Sequence, residues 1–363
     1  MIVVEILFWS SLAALVWTHA AYPVAIAAAA RVRGRADKEA PETPSVTVII
    51  AAHNEESVIL RRISNLRSLD YPPDRLEIVI TSDASTDGTE QLAEAAGARV
   101  IRNPRGGKVA AQDRAVRETE SEIVAFSDAN ATWAPDALRK LVSAFADPAV
   151  AYVCGQLRLE AADGSNREGL YWRYEMAVRA AESRLGSVTG GNGSIYALRR
   201  SDYVEVDPRF GHDLSLPYLM VQRGRRAVYE PGAVASEKPT PSNETEYRRK
   251  VRMFEHCWLI VLRGKMLRRL GPLYLVQIVS HRFLRYASGL LHIVLLASSI
   301  VLAFHGWFYA AVLACQLLLL VAAAAGVGIA RYYVLVTWAT VVSLANYLRR
   351  GVPATWEAAE GTR

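Results

Sequence analysis

The sequence predicts an α/β domain with a mainly parallel sheet, flanked by transmembrane helices. Three observations carry this. Apolar residues gather at the two ends of the 363-residue chain, while the charges lie in the middle. In that middle, short apolar runs alternate with segments of helical spacing, the pattern of a mainly parallel sheet covered on both faces. The composition, 52% hydrophobic with mean hydropathy +0.11, is high for a soluble enzyme and calls for a membrane part.

Residues 2–30 are almost wholly apolar, with Glu5 the one charge. The run exceeds the roughly 7–15 residues of a signal-peptide core and can span a bilayer core of about 30 Å. Arg31, Arg33 and Arg35 follow and place that end in the cytoplasm. The segment reads as an uncleaved transmembrane anchor, and residues 31–45, with Pro41 and Pro44, as a linker.

Strands are expected at 46–51 (VTVIIA), 76–81 (LEIVIT), 99–101 and 123–127 (IVAFS). Between them, 57–69 has helical spacing in Val58, Leu60, Ile63, Leu66 and Leu69. Further helices are expected at 89–96, ended by Gly97, at 109–118, and at 135–146 with proline in its first turn. Residues 151–159 and 194–199 read as strands, 170–185 and 214–223 as helices, completing a domain over 46–240. Residues 241–283 read as amphipathic or interfacial helices. Membrane helices follow over 284–349, as spans at 284–304 and 308–330 and a weaker one at 333–348, and 350–363 is a tail. Three such spans after a cytoplasmic domain put Arg349 and Arg350 outside, against the positive-inside tendency. Either the last segment lies in the interface or the rule fails for this tail.

The net charge of +6 and pI of about 9.2 fit arginines beside membrane segments and contact with membrane lipids. No nucleic-acid motif is present, so no nucleic-acid partner is expected. Cys154, Cys257 and Cys315 show no CxxC spacing, which argues against a zinc site or a disulfide framework.

In parallel sheets, ligands bind beyond the carboxyl ends of the strands. Ala51-Ala52-His53-Asn54-Glu55-Glu56 follows the first strand, Thr81-Ser82-Asp83-Ala84-Ser85-Thr86-Asp87-Gly88-Thr89 the second, and Ser127-Asp128-Ala129-Asn130 the fourth. Three acidic or amide clusters thus share one sheet edge. Carboxylates there can accept from a base N–H or ribose hydroxyl and hold a hard divalent cation that bridges phosphates. Local rivals exist. Asp83, Asp87 and Glu55 could serve turns and caps, and Lys108 could be a solvated surface residue. Lys108 follows Gly106-Gly107 at an expected helix start, a place that suits phosphate.

From 46 to about 253 the chain resembles the family 2 glycosyltransferases, the GT-A group that includes synthases of cellulose, chitin, hyaluronan and poly-N-acetylglucosamine. His53-Asn54-Glu55 is similar to the Tyr-Asn-Glu after strand one, and Asp83 to the aspartate that reads uracil. Gly107-Lys108 resembles the pair that meets the diphosphate, and Asp128-Ala129-Asn130 the DxD metal motif. The glycine-rich run with Gly191, Asn192 and Gly193 resembles the acceptor segment, and Asp213 the general base, with His212 where an acidic residue is usual. Arg249-Lys250-Val251-Arg252-Met253 stands where processive members carry Gln-x-x-Arg-Trp. The resemblance implies a nucleotide-sugar donor bound by His53, Glu55, Asp83, Lys108, Asp128, Arg249 and Arg252. It also implies Mg²⁺ or Mn²⁺ on Asp128 and Asn130, where asparagine supplies an oxygen without charge and so weakens the grip.

The function so implied is inverting transfer of a sugar, with UDP the donor nucleotide by analogy, to a saccharide or lipid-linked acceptor in cell-envelope polysaccharide synthesis. The enzyme would be a multi-pass protein of the bacterial inner membrane with its catalytic domain in the cytoplasm, and a homo-oligomer would allow a channel. The competing reading is a non-catalytic nucleotide-sugar sensor or assembly protein, against which Asp83, Asp128 and Asp213 together argue.

Overall fold

The computed structural model describes residues 1–33, 43–159, 170–238 and 243–355. The chain divides into two units. One comprises Met1–Ala25, Ser242–Arg263 and Leu275–Val352; the other Ile26–Pro241, Gly264–Tyr274 and Pro353–Arg363.

In chain order, α1 (Ile2–Val16) and α2 (Tyr22–Arg33) come first, joined by a π-helical turn over Trp17–Ala21. There follow β1 (Val46–Ala52), α3 (Glu56–Arg67), β2 (Leu76–Asp83), α4 (Thr89–Ala95), β3 (Arg99–Asn103), α5 (Lys108–Arg117) and β4 (Ile123–Ser127). Next are β5 (Thr132–Trp133), α6 (Ala137–Ser143), β6 (Val150–Leu159), α7 (Leu170–Leu185), β7 (Tyr196–Arg199), α8 (His212–Gln222) and β8 (Arg226–Glu237). The chain continues through α9 (Asn243–Arg263), α10 (Pro272–Ile278), α11 (Leu284–Leu302), α12 (Trp307–Ala324) and α13 (Gly328–Arg350).

The eight strands form one sheet in the order β3-β2-β1-β4-β7-β6-β8-β5. The pairs β3/β2, β2/β1, β1/β4 and β6/β8 are parallel, and those of β7 with β4 and β6, and of β5 with β8, antiparallel. Because β1, β2 and β4 run the same way, with Ala52 opposite Ser82 and Ile50 opposite Ser127, their carboxyl ends open at one edge. Helices on both faces explain why Val48, Ile49 and Ile50 are all fully buried rather than alternately exposed. Burying each such side chain contributes about 1.5–3 kcal/mol.

Several details differ from the sequence reading. β8 is a full strand, although Pro231 and Gly232 interrupt its apolar pattern; the β6/β8 register is irregular between Cys154 and Gln156. The stripe read on 57–69 holds except that Leu60 is exposed and Arg62 is buried in its place. The last apolar stretch breaks earlier than expected, at Gly326 (φ +85°), so that α13 begins at Gly328. Most of the linker read at 31–45 and of the tail at 350–363 lies outside the described residues.

Among the described residues, four helices are long and apolar enough to cross a membrane: Ile2–Val32, Pro272–His305, Trp307–Ala324 and Gly328–Arg350. In this unit α11 and α13 run antiparallel. Gly289 packs on Thr337 and Thr340, while three residues on, His292 meets Tyr333 at 2.8 Å. The end of α13 therefore lies with the start of α11, and Arg350 pairs with Glu255 of α9 at 2.9 Å.

Candidate active site

The turns after β1 and β2, which the sequence marks as a candidate donor side, interlock. Asn54 and Ala84 take positive φ (55° and 57°), which folds each turn back over the sheet edge. Nδ1 of His53 donates to the carbonyl of Asp83 (2.8 Å), the amide of Thr86 donates to Asn54 Oδ1 (2.8 Å), and that of Glu55 to Thr89 Oγ1 (2.8 Å). Asp87 accepts from the amides of Glu56 (3.2 Å) and Thr89 (3.1 Å), so its role is to cap and join the turns. The buried carboxylate of Asp83 accepts from Arg105 Nη1 (2.7 Å) and from the amides of Gly106 (2.7 Å) and Gly107 (3.1 Å). Asp83 thus organises the loop before α5. Gly107 is at φ +92°, and a Cβ there would stand 2.3 Å from the carbonyl oxygen of Ala354, where the described end of the chain crosses this loop.

At the centre, the ammonium of Lys108, the first residue of α5, contacts Oδ1 of Asp128, just past β4. Burial opposes its charge, but Asp128, Asp213 and Glu237 outweigh this and hold its pKa above the usual lysine value. Glu237, at the end of β8, accepts from Ser194 Oγ, which also lies 3.3 Å from Asp128 Oδ2. Behind them Arg62 is 1% exposed, stacks on Trp133 at 5.0 Å and donates to Ser127 Oγ (2.8 Å). Burial pushes this guanidinium down to about 9, against the pull of Asp128 and Glu237. Asn130 is half-buried in the turn after Asp128.

Among the described residues no three His, Cys, Asp or Glu side chains gather closely enough to hold a metal alone. The donor set nonetheless matches a hard divalent cation in kind. Two carboxylates share the Ser194 hydroxyl, and a cation, the Lys108 ammonium, already sits on Asp128.

The glycine-rich loop, the candidate acceptor side, is fastened from beneath. Buried Glu182 accepts from the amide (3.2 Å) and hydroxyl (3.0 Å) of Thr189, and Arg179 donates to the carbonyl of Gly191 (3.0 Å). The amide of Gly191 donates to the carbonyl of Asp213 (2.6 Å), joining this loop to the first turn of α8. The Asn192 amide donates to the carbonyl of Gly155 (2.6 Å), and its oxygen accepts from Ser194 and Ile195. That buried side chain shapes the loop rather than lining it. The side-chain position of Gly193 falls 3.4 Å from Lys108 Nζ and 3.7 Å from Asp128 Oδ2, so this backbone abuts the ion pair.

The structure thus brings together His53, Glu55, Asp83, Lys108, Asp128, Gly191, Gly193 and Asp213 in one unit. Arg249 and Arg252 belong to the other, on α9, where Arg249 pairs with Glu246 at 3.2 Å. Sequence reasoning missed Arg62, Glu182, Ser194 and Glu237. Arg62 had a signal, since it stands four residues after Val58 and four before Leu66, on the buried stripe. Glu237 had none, because its strand was not read.

Residues 47–206 match the family described as Glycosyl transferase family 2. An N-acetylglucosaminyltransferase of Azorhizobium caulinodans is 31% identical over 263 residues, covering 65% of this chain and 66% of the relative. A beta-monoglucosyldiacylglycerol synthase of Synechocystis sp. is 34% identical over 163 residues, 42% of this chain. The chain spans only 33% of that synthase's length. Among solved structures, a mannosyltransferase from Pyrobaculum calidifontis, in complex with GDP-Man and Mn²⁺, superposes with TM-score 0.75 at 24% identity. The match covers 94% of this chain and 99% of that one, which shows a shared fold.

Proposed function

Since the chain belongs to the family 2 glycosyltransferases, we propose that it transfers a sugar, with inversion, from a nucleotide-activated donor to a lipid-linked or saccharide acceptor. The carrying observation is the convergence of Lys108, Asp128 and Asp213, from three separate elements, beside the backbone of Gly191 and Gly193. In this reading His53, Glu55 and Asp83 shape the nucleotide pocket. Lys108 and the first turn of α5 receive the diphosphate, where amide groups and a positive charge suit an anion. Asp213 takes the proton of the acceptor hydroxyl as the anomeric carbon is attacked from the face opposite the leaving group; such a base contributes about 10²–10⁴ in rate. Asp128, Asn130 and Glu237 would hold a divalent cation, Mg²⁺ or Mn²⁺, which supplies charge neutralisation to the departing diphosphate. Arg249 and Arg252 are assigned to the leaving group by resemblance alone.

UDP is the proposed donor nucleotide, with GDP the alternative that the mannosyltransferase's complex brings in. The named relatives favour a sugar or lipid acceptor, and the four apolar helices favour a membrane-bound enzyme. We place it in the bacterial inner membrane, in cell-envelope polysaccharide synthesis, with the catalytic unit cytoplasmic.

The test is nucleoside-diphosphate release by the detergent-purified chain across UDP- and GDP-sugars, with Mg²⁺, Mn²⁺ or chelator. Asp213→Asn should bind nucleotide normally and lose transfer by about 10²-fold or more. Absence of release with every donor, from folded protein, would favour the sensor reading, and full activity of Asp213→Asn would remove the base.

A further inference from the structure

Directly behind the acceptor side lies a polar group that the reading above does not use. His212, which precedes Asp213 in the first turn of α8, is 4% exposed. Its ring sits edge-on to Phe126 (5.7 Å, 76°), Tyr196 (6.2 Å, 85°) and Tyr203 (5.9 Å, 82°). Nδ1 lies 2.9 Å from the Tyr196 hydroxyl and Nε2 3.4 Å from that of Tyr203. Tyr203 in turn donates to Oδ1 of Asp113 at 2.6 Å, and Asp113 is 6% exposed on α5.

With Asp113 ionised, the hydrogen bonds run in one direction. Tyr203 gives its proton to the carboxylate, so its oxygen is left to accept from His212 Nε2–H. His212 is then the Nε2–H tautomer, and Nδ1 accepts from Tyr196. The neutral state is favoured independently, because burial and the nearby Lys108 hold the imidazole down to about 3. An isolated hydroxyl or imidazole at this depth would be costly, whereas a satisfied chain fixes each member in one orientation.

We propose that Asp113, Tyr203 and His212 form a positioning relay that fixes the first turn of α8 and thereby aims Asp213 at the acceptor hydroxyl. The inference rests on the reading of Asp213 as the base. The other anchors of the segment from 211 to 213 act on its backbone: the Gly211 carbonyl accepts from the Ser215 amide (2.9 Å) and hydroxyl (2.7 Å), and the Asp213 carbonyl from Gly191. His212 is the one side chain of the three that enters the core, and Tyr203 and Asp113 clamp it from β7's following loop and from α5. Asp113 also supplies a carboxylate 3.9 Å behind the imidazole.

The test uses the full chain in detergent, with donor kcat and KM from diphosphate release and with nucleotide affinity measured by calorimetry using free UDP and GDP. Tyr203→Phe removes one oxygen, and His212→Phe keeps the ring packing while removing both nitrogens. Each should lower kcat by about 10-fold or more, as expected for a misaimed group, with KM and nucleotide affinity within about twofold. His212→Gln, which restores a donor toward Tyr203, should recover part of the rate. Wild-type kcat in both phenylalanine variants, with Asp213→Asn inactive, would overturn the relay and leave the base in place. Loss of nucleotide affinity in step with kcat in both variants would also overturn it, as a role in folding only. Activity in Asp213→Asn would instead overturn the base reading itself.

Discussion

A methyl group at Gly211 tests the aim of Asp213 without touching its chemistry. Gly211 has φ −68° and ψ 132°, a conformation open to any residue, so Gly211→Ala introduces no backbone strain. Its Cβ would, however, stand 2.6 Å from Asp213 Oδ1. The carboxylate must retreat by about 0.8 Å to regain van der Waals contact. Misplacing a reacting group by about 1 Å costs on the order of 10² in rate. The expected fall in kcat is therefore about 10- to 100-fold, or roughly 1.4–2.7 kcal/mol of barrier. Stability should be unchanged or gain about 0.4–1 kcal/mol, because alanine narrows the unfolded ensemble. The assay is diphosphate release at saturating donor, with thermal unfolding and nucleotide binding on the same preparation. A wild-type kcat would refute the placement of Asp213 at the reacting centre. A loss of nucleotide affinity equal to the loss of rate would refute the division into donor and acceptor sides.

Lys108→Ala removes the cation from Asp128; nucleotide affinity should fall by about 1.5–3 kcal/mol, roughly 10- to 100-fold, as read by calorimetry with free diphosphate. Arg62→Ala should destabilise by about 3–5 kcal/mol in thermal unfolding, since it strips a buried counter-charge from Asp128 and Glu237, whereas the exposed pair Arg139–Asp70 should yield under about 1 kcal/mol on Arg139→Ala. Burial raises Asp113 from 3.8 to about 6, so its contribution to stability is full below pH 3.8 and is lost as pH rises through 6. Two pH units correspond to about 3 kcal/mol, so Asp113→Asn should gain on the wild type by up to that order between pH 4 and 8 in a thermal-shift series.

Much of the donor side was legible because its chemistry lies in turns directly after strands. IVAFS matched β4 residue for residue, and the turn formers of DASTDGT marked the loop after β2. What stayed hidden was long-range. Asp83 engages Arg105 and Gly106, more than twenty residues on, and no local pattern announces that partner. Glu182 and Arg179 belong to a helix whose boundaries were read correctly, yet their function is to hold a loop, which periodicity does not encode. Tyr203 and Asp113 are 90 positions apart, and their meeting depends on β4 and β7 lying side by side.

Under the proposed reading, the charge that Asn130 lacks is supplied in space from another element. Asn130 carries none, which read in isolation weakens the grip on a cation and a diphosphate. Glu237 restores a carboxylate to the same hydroxyl, Ser194, that faces Asp128, but from β8. Two anions so close would repel at a buried edge unless cations were built in; Lys108 and Arg62, from α5 and α3, supply them. These two carboxylates are thus matched by two cations before any ligand arrives. An incoming diphosphate must draw Lys108 away from Asp128, freeing that carboxylate for a divalent cation at the moment the phosphates arrive to complete its shell. On this argument nucleotide and metal should bind with positive coupling, and Mn²⁺ titrated calorimetrically into the protein should bind measurably tighter with saturating nucleoside diphosphate than without it. Equal affinity in both would mean that Lys108 does not move between the two partners.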